Sequence, residues 1–256
     1  MTKIIAVSMP KGGVGKTTTA VNLAASFAIA EKRTLLIDVD PMGTCSIALG
    51  VPRNELKGGI FEIFSFAHSI NSVIHPTKIP DLHFIPSILN NHLDEDRLAK
   101  LAENKFFLRN VVHSIMFQYD YIILDCPPYL RGMTTNALLA ANSAIIPVKA
   151  EIFSINAINK ILDHIEWLKS YGNSLLHVKG LLLTMYESRI KASGLMEEKL
   201  NDEYPSKLFK TKIPKNAALS EAAFYGTPAI LYNAISKGSI AYLNLAKEII
   251  EGNTSN

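Results

Sequence analysis

The sequence has few of the features that mark secreted, membrane-spanning or metal-structured proteins. Its only two cysteines, Cys45 and Cys126, lie far apart, and its seven histidines show no metal-ligand spacing. No apolar run reaches the roughly 18 residues that suggest a bilayer span, and the chain opens on an apolar strand rather than a leader. These absences exclude a disulfide-rich fold, predict no zinc or iron–sulfur centre, and favour a reduced, cytoplasmic compartment with both thiols in the core.

The chain also lacks a strong charge bias and an evident linker. Its 26 Lys and Arg against 23 Asp and Glu give a formal charge of +3, so any attraction to a polyanion has to come from a local basic cluster. No Pro/Gly/Ser-rich stretch or internal repeat divides it. We therefore expect one domain over 1–256, with the last few residues disordered.

Apolar runs alternate with helix-forming stretches along the whole chain. The predicted strands are Ile4–Met9, Thr34–Val39, Leu82–Pro86, Tyr121–Asp125, Ala144–Val148, Gly180–Met185 and Leu208–Ile213. The predicted helices are Thr17–Ala30, Arg97–Phe117, Thr134–Ala141, Ile155–Tyr171, Leu195–Glu203 and Ser236–Glu251. Continuously apolar strands are typical of a sheet covered on both faces. The pattern predicts a doubly wound α/β fold with a mostly parallel sheet, whose ligand lies at the carboxyl ends of the strands.

A glycine-rich loop between the first strand and the first helix carries the strongest chemical signal. Residues 9–18 read MPKGGVGKTT. Glycines let successive backbone N–H groups turn towards phosphate oxygens, and the helix that follows adds the positive end of its dipole. Lys16 can reach the β- and γ-phosphates, and the Thr17 hydroxyl can hold Mg²⁺. The alternative is a tight strand-to-helix turn without a ligand, but it does not explain why the lysine and hydroxyl follow in order.

Carboxylates end two further predicted strands. Asp38 and Asp40 fall on the same side of the second strand by its period of two. They could orient a water and hold the metal shell, or they could only cap a helix. Asp125 ends an apolar strand, and a carboxylate there suits a hard cation such as Mg²⁺. A purely structural Asp125 would need another partner, because a buried, unpaired aspartate is costly.

These motifs together resemble one family. KGGVGKTT at 11–18 resembles the deviant Walker A loop of the ParA/MinD family of P-loop ATPases, and DCPP at 125–128 resembles its Walker B segment. The segment IDVDPMGT at 37–44 resembles the family's IDxDPQGN, with departures at Met42 and Thr44. The resemblance extends from Met1 to about Ile250 and implies a P-loop NTPase fold, ATP and Mg²⁺ as cofactors, and slow ATP hydrolysis.

The resemblance also assigns roles to individual residues. It implies that Lys11 reaches across a homodimer interface to the partner's nucleotide, that Asp40 positions the attacking water, and that Asp38 supports the switch region. The predicted catalytic residues are Lys11, whose role rests on the resemblance, together with Lys16 and Asp40. The predicted metal-holding residues are Thr17, Asp38 and Asp125. The predicted nucleotide-binding residues are Lys11, Gly12, Gly13, Val14, Gly15, Lys16, Thr17, Thr18, Pro214 and Asn216, the last two lying against the adenine.

Basic residues cluster in the last third of the chain. Four lysines fall within the nine residues 207–215, and strand alternation places Lys210 and Lys212 on one face. Such lysines either protect an edge strand from aggregation or contact phosphates without sequence preference. Resemblance to the short chromosomal ParA type, called Soj, favours DNA contact, although Ala218 stands where a second arginine is typical. The predicted DNA-binding residues are Arg189, Lys191, Lys210, Lys212 and Lys215.

The leading hypothesis is a chromosome- or plasmid-partitioning ATPase. Its ATP-bound homodimer would bind double-stranded DNA non-specifically on the nucleoid, and a ParB-like centromere-binding partner would stimulate hydrolysis. A MinD-like ATPase that positions another cargo on a membrane or protein scaffold is the alternative, although the polar C-terminal tail disfavours membrane attachment. A metabolic P-loop enzyme would need a substrate pocket, of which the sequence gives no sign.

Overall fold

The computed structural model describes residues 2–151 and 154–252. The expected disorder of the last few residues lies mostly outside these ranges. The strands are β1 Lys3–Val7, β2 Thr34–Asp38, β3 His75–Pro76, β4 Leu82–Ile85, β5 Tyr121–Asp125, β6 Ser143–Lys149 and β7 His177–Thr184. The helices are α1 Lys16–Ile29, α2 Thr44–Leu49, α3 Ile60–Phe64, α4 His92–Leu101, α5 Phe107–Ile115, α6 Met133–Ala140, α7 Ser154–Tyr171, α8 Lys191–Glu203, α9 Ala217–Phe224, α10 Ala229–Tyr232 and α11 Lys237–Glu251.

The strands of the described chain form a single seven-stranded sheet in the order β3-β4-β2-β5-β1-β6-β7. All neighbouring pairs are parallel except β3 with β4. Side chains on the two faces of the sheet belong to two separate apolar clusters, each covered by helices. The predicted doubly wound α/β fold is confirmed. Within the described ranges, no helix is both long and apolar enough to cross a bilayer.

The register of the central strands places the functional residues at one end of the sheet. β1 and β2 both pair with β5, so the chain segments that leave all three strands begin side by side. Asp38 and Asp125 are register partners at the ends of β2 and β5. Because parallel strands end at the same edge, the glycine loop after β1 lies next to both carboxylates.

One predicted helix is in fact two helices. The sequence predicts a continuous helix over 97–117, and that prediction is wrong, because the chain leaves the helix after Leu101 and starts a new one at Phe107. The buried Asn136 side chain of α6 occupies the break: its amide donates to the Ala102 carbonyl at 2.8 Å, and its oxygen accepts from the Leu108 amide at 3.4 Å. A side chain from a distant element thus satisfies backbone groups that an unbroken helix would have paired internally.

The predicted edge strand over 208–213 is also wrong. This segment runs beside β7 with two isolated bridges, Leu181 with Leu208 and Tyr186 with Pro214, and forms no continuous ladder. Its backbone is held from the other side as well. The carboxylate of Glu248 on α11 accepts from the amides of Lys210 and Thr211 at 2.8 and 3.0 Å. An acid that lies far along the chain therefore replaces part of the strand pairing.

Candidate functional site

The glycine loop wraps around the ammonium group of Lys16. Gly13 and Gly15 have positive φ, +69° and +84°, which only glycine adopts without strain. Lys16 opens α1 and is 8% exposed, and its Nζ donates to the Lys11 carbonyl at 3.0 Å. Burial lowers the Lys16 pKa, while the charges of Asp125 and Asp40 oppose that shift. The loop therefore holds a cation beside two carboxylates, with its amino group folded over the curled backbone.

The ends of β2 and β5 bring two buried carboxylates together. Asp38 is fully buried, and its two oxygens accept from the amides of Asp40 at 3.1 Å and Cys45 at 3.0 Å. Asp125 is also fully buried, and its Oδ2 accepts from the Cys45 thiol at 3.3 Å. Burial raises the pKa of Asp38, and the Asp125 charge raises it further. Burial raises the pKa of Asp125 to about 6, against hydrogen bonds from Thr17 and Cys45 that lower it.

Asp40 lies on a tight turn directly after β2. Its carboxylate accepts from the Met42 amide at 3.1 Å, and its carbonyl accepts from the Gly43 amide at 3.0 Å. Gly43 has φ +64°, and a Cβ there would stand 2.4 Å from the Ser87 carbonyl oxygen, so the turn requires glycine. The Thr44 hydroxyl that follows donates to Thr17 Oγ1 at 3.3 Å. The turn thereby connects the predicted water-positioning acid to the predicted metal-holding threonine.

Lys11 points away from its own loop. Its Nζ lies 3.0 Å from Glu151 Oε2 and 3.4 Å from Ser154 Oγ. Glu151 also pairs with Lys149, and hydrogen bonds from Lys149 and then Lys11 lower its pKa. The Lys11 ammonium therefore faces Glu151 and the first residue of α7, Ser154, and the cation inside the loop is that of Lys16.

A cavity of about 480 Å³ adjoins the loop on its β7 side. It is lined by Gly15, Thr18, Thr184, Met185, Ile213, Pro214, Lys215, Asn216, Leu219, Ser220, Ala223 and Tyr242. The Thr184 hydroxyl donates to the Val14 carbonyl at 2.9 Å, which fixes β7 to the loop. The structure thus brings the two predicted adenine contacts, Pro214 and Asn216, to the same cavity as the loop residues Gly15 and Thr18.

The unpaired polar atoms of this region fit a nucleotide and a divalent cation. Asp125 Oδ1 and Asn216 Oδ1 are buried without a hydrogen-bond partner within the described chain. A Cβ added at Gly12 or Gly13 would meet nothing within 4 Å, so the loop backbone faces open space. An oxyanion can accept from that backbone, and a hard cation can take a carboxylate oxygen. The donor set therefore matches a triphosphate with Mg²⁺.

The five predicted DNA-binding residues lie on the surface near β7, but they differ in their partners. Arg189, Lys191 and Lys210 are exposed. Lys212 Nζ pairs with Glu197 and stands 4.8 Å from the centre of the Tyr186 ring. Lys215 Nζ lies 3.2 Å from Glu187. Two of the five cations are therefore already neutralised by acids of the same surface.

The strand–loop–helix geometry, the buried lysine and the paired strand-end carboxylates define a P-loop nucleoside triphosphatase. Comparison with known proteins narrows the class. A family model described as an AAA domain matches residues 2–178. The chromosome partitioning protein ParA of Myxococcus xanthus is 38% identical over 252 residues, which cover 98% of this chain and 89% of the relative. The sporulation initiation inhibitor protein Soj of Bacillus subtilis is 36% identical, with coverage of 97% and 98%.

Solved structures show the same architecture. MinD of Pyrococcus horikoshii, complexed with Mg-ADP, superposes with a TM-score of 0.84 at 26% identity and complete coverage of both chains. A cobyrinic acid a,c-diamide synthase of Mycobacterium smegmatis with an ATP analogue and magnesium gives a TM-score of 0.84 at 27% identity, covering 98% of this chain and 95% of that one. The chain belongs to the ParA/MinD family of AAA-domain ATPases, as its motifs predicted.

Sequence reasoning missed three neighbours of the predicted site. Glu151, the ion-pair partner of Lys11, lies two residues after β6 and could have been grouped with the acids that end the other strands. The thiol of Cys45 contacts Asp125, although the two are far apart in the chain and no spacing rule connects them. Thr44 is visible in the sequence only as a departure from the family pattern, yet its hydroxyl contacts Thr17.

Proposed function

We propose that this protein is an ATP-switched partitioning ATPase for a chromosome or plasmid. It binds ATP with Mg²⁺, forms a homodimer, binds double-stranded DNA without sequence preference, and returns to the monomer after slow hydrolysis that a ParB-like partner stimulates. The observation that carries the proposal is that Lys215 lines the cavity beside the glycine loop and also belongs to the basic segment 207–215. The names of the two relatives from Myxococcus xanthus and Bacillus subtilis support the same function.

Each residue of the loop has a distinct role in this proposal. Lys16 and the backbone of 12–15 bind the phosphates, and Pro214 and Asn216 hold the adenine. Thr17 and Asp125 would hold Mg²⁺, which supplies positive charge against the phosphate oxygens when bound. Asp38 shapes the turn after β2 through its two amide hydrogen bonds.

Asp40 acts on the water that attacks the γ-phosphorus. Its carboxylate accepts a hydrogen bond from that water and aligns it opposite the leaving oxygen, and ADP and phosphate are the products. Because the protein contributes positioning and fixed charge, and supplies no covalent intermediate, the rate depends on how well the turn 38–44 holds this acid.

DNA binding follows from the number of available cations. One protomer offers a handful of phosphate contacts, which gives non-specific binding of roughly 10⁻⁴ M or weaker at physiological salt. A dimer presents two such surfaces on one body, so the second engages at high effective concentration. Nucleotide-dependent dimerisation therefore switches affinity for DNA.

The test is fluorescence anisotropy with two unrelated DNA duplexes, in ATP and in ADP. We expect binding in ATP only, equal for both duplexes, and falling steeply with salt. Arg189→Ala should weaken it severalfold, whereas Lys78→Ala, an exposed cation at the opposite edge of the sheet, should not. Absence of binding by the ATP-bound protein even at low salt would contradict the DNA assignment.

A second candidate is a cargo-positioning ATPase that docks on a protein scaffold or membrane. Large apolar side chains are exposed at the corner between α9 and α11, with Phe224 85%, Tyr225 67% and Ile235 86% exposed. Such a patch suits a protein or lipid surface better than a polyanion. This candidate takes precedence if the anisotropy experiment shows an ATP-dependent dimer that ignores DNA.

A further inference from the structure

A second cavity, of about 860 Å³, is walled by α4, α7 and the segment that leads into α6. It shares no residue with the cavity beside the glycine loop. Its lining is mostly apolar and includes Leu98, Ala102 and Trp167. Binding sites for small molecules have volumes of about 300–1,000 Å³ and combine an apolar lining with a few polar groups. The cavity therefore has the size and the lining of a small-molecule site.

One wall of this cavity carries two acids separated by apolar residues. Glu95 and Glu103 line it from α4 and from the turn that follows α4. Between them the wall is made of Leu98, Ala99 and Ala102. The spacing i, i+3, i+4, i+7 and i+8 places these positions on one side of a helix. At about 1.5 Å per residue, the two acids are about 10–12 Å apart along the axis. The wall is therefore acidic at both ends and apolar in the middle.

The charges that line the cavity leave these two acids available to a ligand. Neither Glu95 nor Glu103 forms an ion pair within the described chain. The lining also contains the cations Lys105 and Arg131. Lys105 is directed towards Tyr171, with its Nζ 3.5 Å from the hydroxyl oxygen. Arg131 is therefore the one lining cation, among the described residues, that is left to oppose the two acids.

The α7 wall supplies aromatic rings and no further charge. His164, Trp167 and Tyr171 form a stacked row, with ring centroids 5.4 and 4.9 Å apart. Burial lowers the pKa of His164, so its ring is neutral at pH 7. The row already holds one cation, because Lys105 Nζ stands 5.0 Å from the centre of the Tyr171 ring. Trp167 is 44% exposed, so part of its indole surface is available to a second cation.

We propose that this cavity binds an aliphatic diamine or polyamine, whose terminal ammonium groups pair with Glu95 and Glu103. The methylene chain would lie along Leu98, Ala99 and Ala102 and remove apolar surface from water. A single metal ion cannot take both acids, because its ligand oxygens all lie within about 2.6 Å of it. A nucleotide would bring its phosphates against the two carboxylates. The proposed site is separate from the nucleotide loop, and its ligand binding does not depend on the proposed function.

The experiment is a titration of the nucleotide-free protein with diaminooctane at low salt. Trp167 is the one tryptophan of the chain, so its fluorescence reports on this cavity. We expect a saturable change, and weaker binding of diaminobutane at equal ionic strength, because it is too short to pair with both acids at once. A calorimetric titration covers the case of a bound ligand that leaves the emission unchanged.

Variants of the lining charges should change the affinity in opposite directions. Glu95→Gln and Glu103→Gln should each weaken diaminooctane binding about two- to fivefold, which is the range of an exposed ion pair. Arg131→Ala should strengthen it by a similar factor, because the opposing cation is removed. Glu198→Gln, at an exposed position on α8 without an ion pair within the described chain, should leave the affinity unchanged. Thermal melts establish that each variant is folded.

Four results would overturn the proposal. The first is a wild-type protein that shows neither a saturable fluorescence change nor heat of binding. The second is equal affinity for diaminobutane and diaminooctane, which would show attraction between single charges only. The third is an affinity that Glu95→Gln and Glu103→Gln leave unchanged. The fourth is weaker binding in Arg131→Ala, which would show that the ligand does not lie among the charges of this cavity as proposed.

Discussion

The ionisation of Asp125 is the single-residue property with the clearest thermodynamic consequence. Its pKa of about 6 in the folded protein exceeds the ordinary value of 3.8 because of burial. A raised carboxyl pKa contributes stability below the unfolded pKa, and that contribution is lost as pH rises through the folded pKa. In the nucleotide-free protein, Asp125→Asn should therefore raise the free energy of unfolding at pH 8 by about 1–3 kcal/mol. Urea unfolding should show that this difference shrinks towards zero near pH 4.

Asp120→Asn is the control with the opposite sign. Asp120 is hydrogen-bonded to Arg33, which lowers its pKa, so its contribution is present at neutral pH and is lost on acidification. The asparagine variant should be slightly less stable than wild type at pH 8. If Asp125→Asn is also less stable than wild type at pH 8, the charge of Asp125 is satisfied in a way that the geometry does not show.

Asp40 and Asp38 are only two residues apart, but their side chains have different surroundings. Asp40 is 9% exposed at the surface of the site, whereas Asp38 is fully occupied by two backbone amides. Asp40→Ala should keep ATP affinity, lose at least about 100-fold in turnover because the water is no longer oriented, and remain dimeric in ATP. Single-turnover hydrolysis with light scattering measures both properties.

Asp38→Ala should lose stability as well as activity, unlike Asp40→Ala. Removing its carboxylate leaves two buried amides unpaired, so the protein should lose about 1–3 kcal/mol of stability in addition to activity.

Lys16→Ala removes the cation that we propose binds the phosphates. Calorimetry should therefore show that this variant loses ATP affinity. Wild-type turnover in Asp40→Ala would transfer the water-positioning role to another group.

At the scale of elements, the buried Asn136 connects two helices through their backbones. Its side chain bonds the end of α4 at Ala102 and the start of α5 at Leu108. Asn136→Ala should lower the free energy of unfolding by about 2–4 kcal/mol, because one buried carbonyl and one buried amide lose their partner. Urea denaturation measures the change. Asn110→Ala, at an exposed position on α5, should stay within about 0.5 kcal/mol of wild type.

The sequence predicts elements well where local pattern and tertiary packing agree. The strand 121–125 was predicted with its bounds, and α1, α6, α7 and α11 within a residue or two, because each carries an apolar period that its own burial requires. The helix over 97–117 failed because a side chain from α6 decides where it breaks. The strand over 208–213 failed because Glu248, far along the chain, takes its amides. No local window contains either partner.

In the candidate site too, features set by the local sequence could be predicted, and features set by distant residues could not. The positions of Lys16 and Thr17, directly after the glycine loop and in the first turn of α1, could be predicted, because glycine spacing and chain order are sufficient to fix that geometry. The partners of Lys212 and Lys215 could not, since Glu197 and Glu187 become neighbours only after β7 and α8 are in place. The assignments to nucleotide, metal and DNA stay predictions, as does the single domain over 1–256.

At the scale of the whole molecule, we propose that Lys11 connects the glycine loop to the assembly of a homodimer. In the protomer it is paired with Glu151, and Lys16 already provides the cation inside the loop. We expect Lys11→Ala to bind ATP but to remain monomeric, because no charge then crosses to the partner's phosphates. Small-angle scattering in ATP measures the outcome, with Asp40→Ala as the dimeric reference. A normal ATP-dependent dimer of Lys11→Ala would contradict a role in trans.

Two loops of this molecule approach each other backbone to backbone at a pair of glycines. Gly50, after α2, and Gly226, after α9, both have positive φ, and a Cβ on Gly50 would stand 2.1 Å from the Gly226 carbonyl oxygen. The three atoms nearest to that Cβ all belong to the Gly226 backbone, so a change of side chain elsewhere does not make room for a methyl group at Gly50. Another residue can therefore replace Gly50 only if the Gly226 backbone moves. The segment that follows the turn after β2 and the segment that follows Pro214 and Asn216 can therefore change only as a pair.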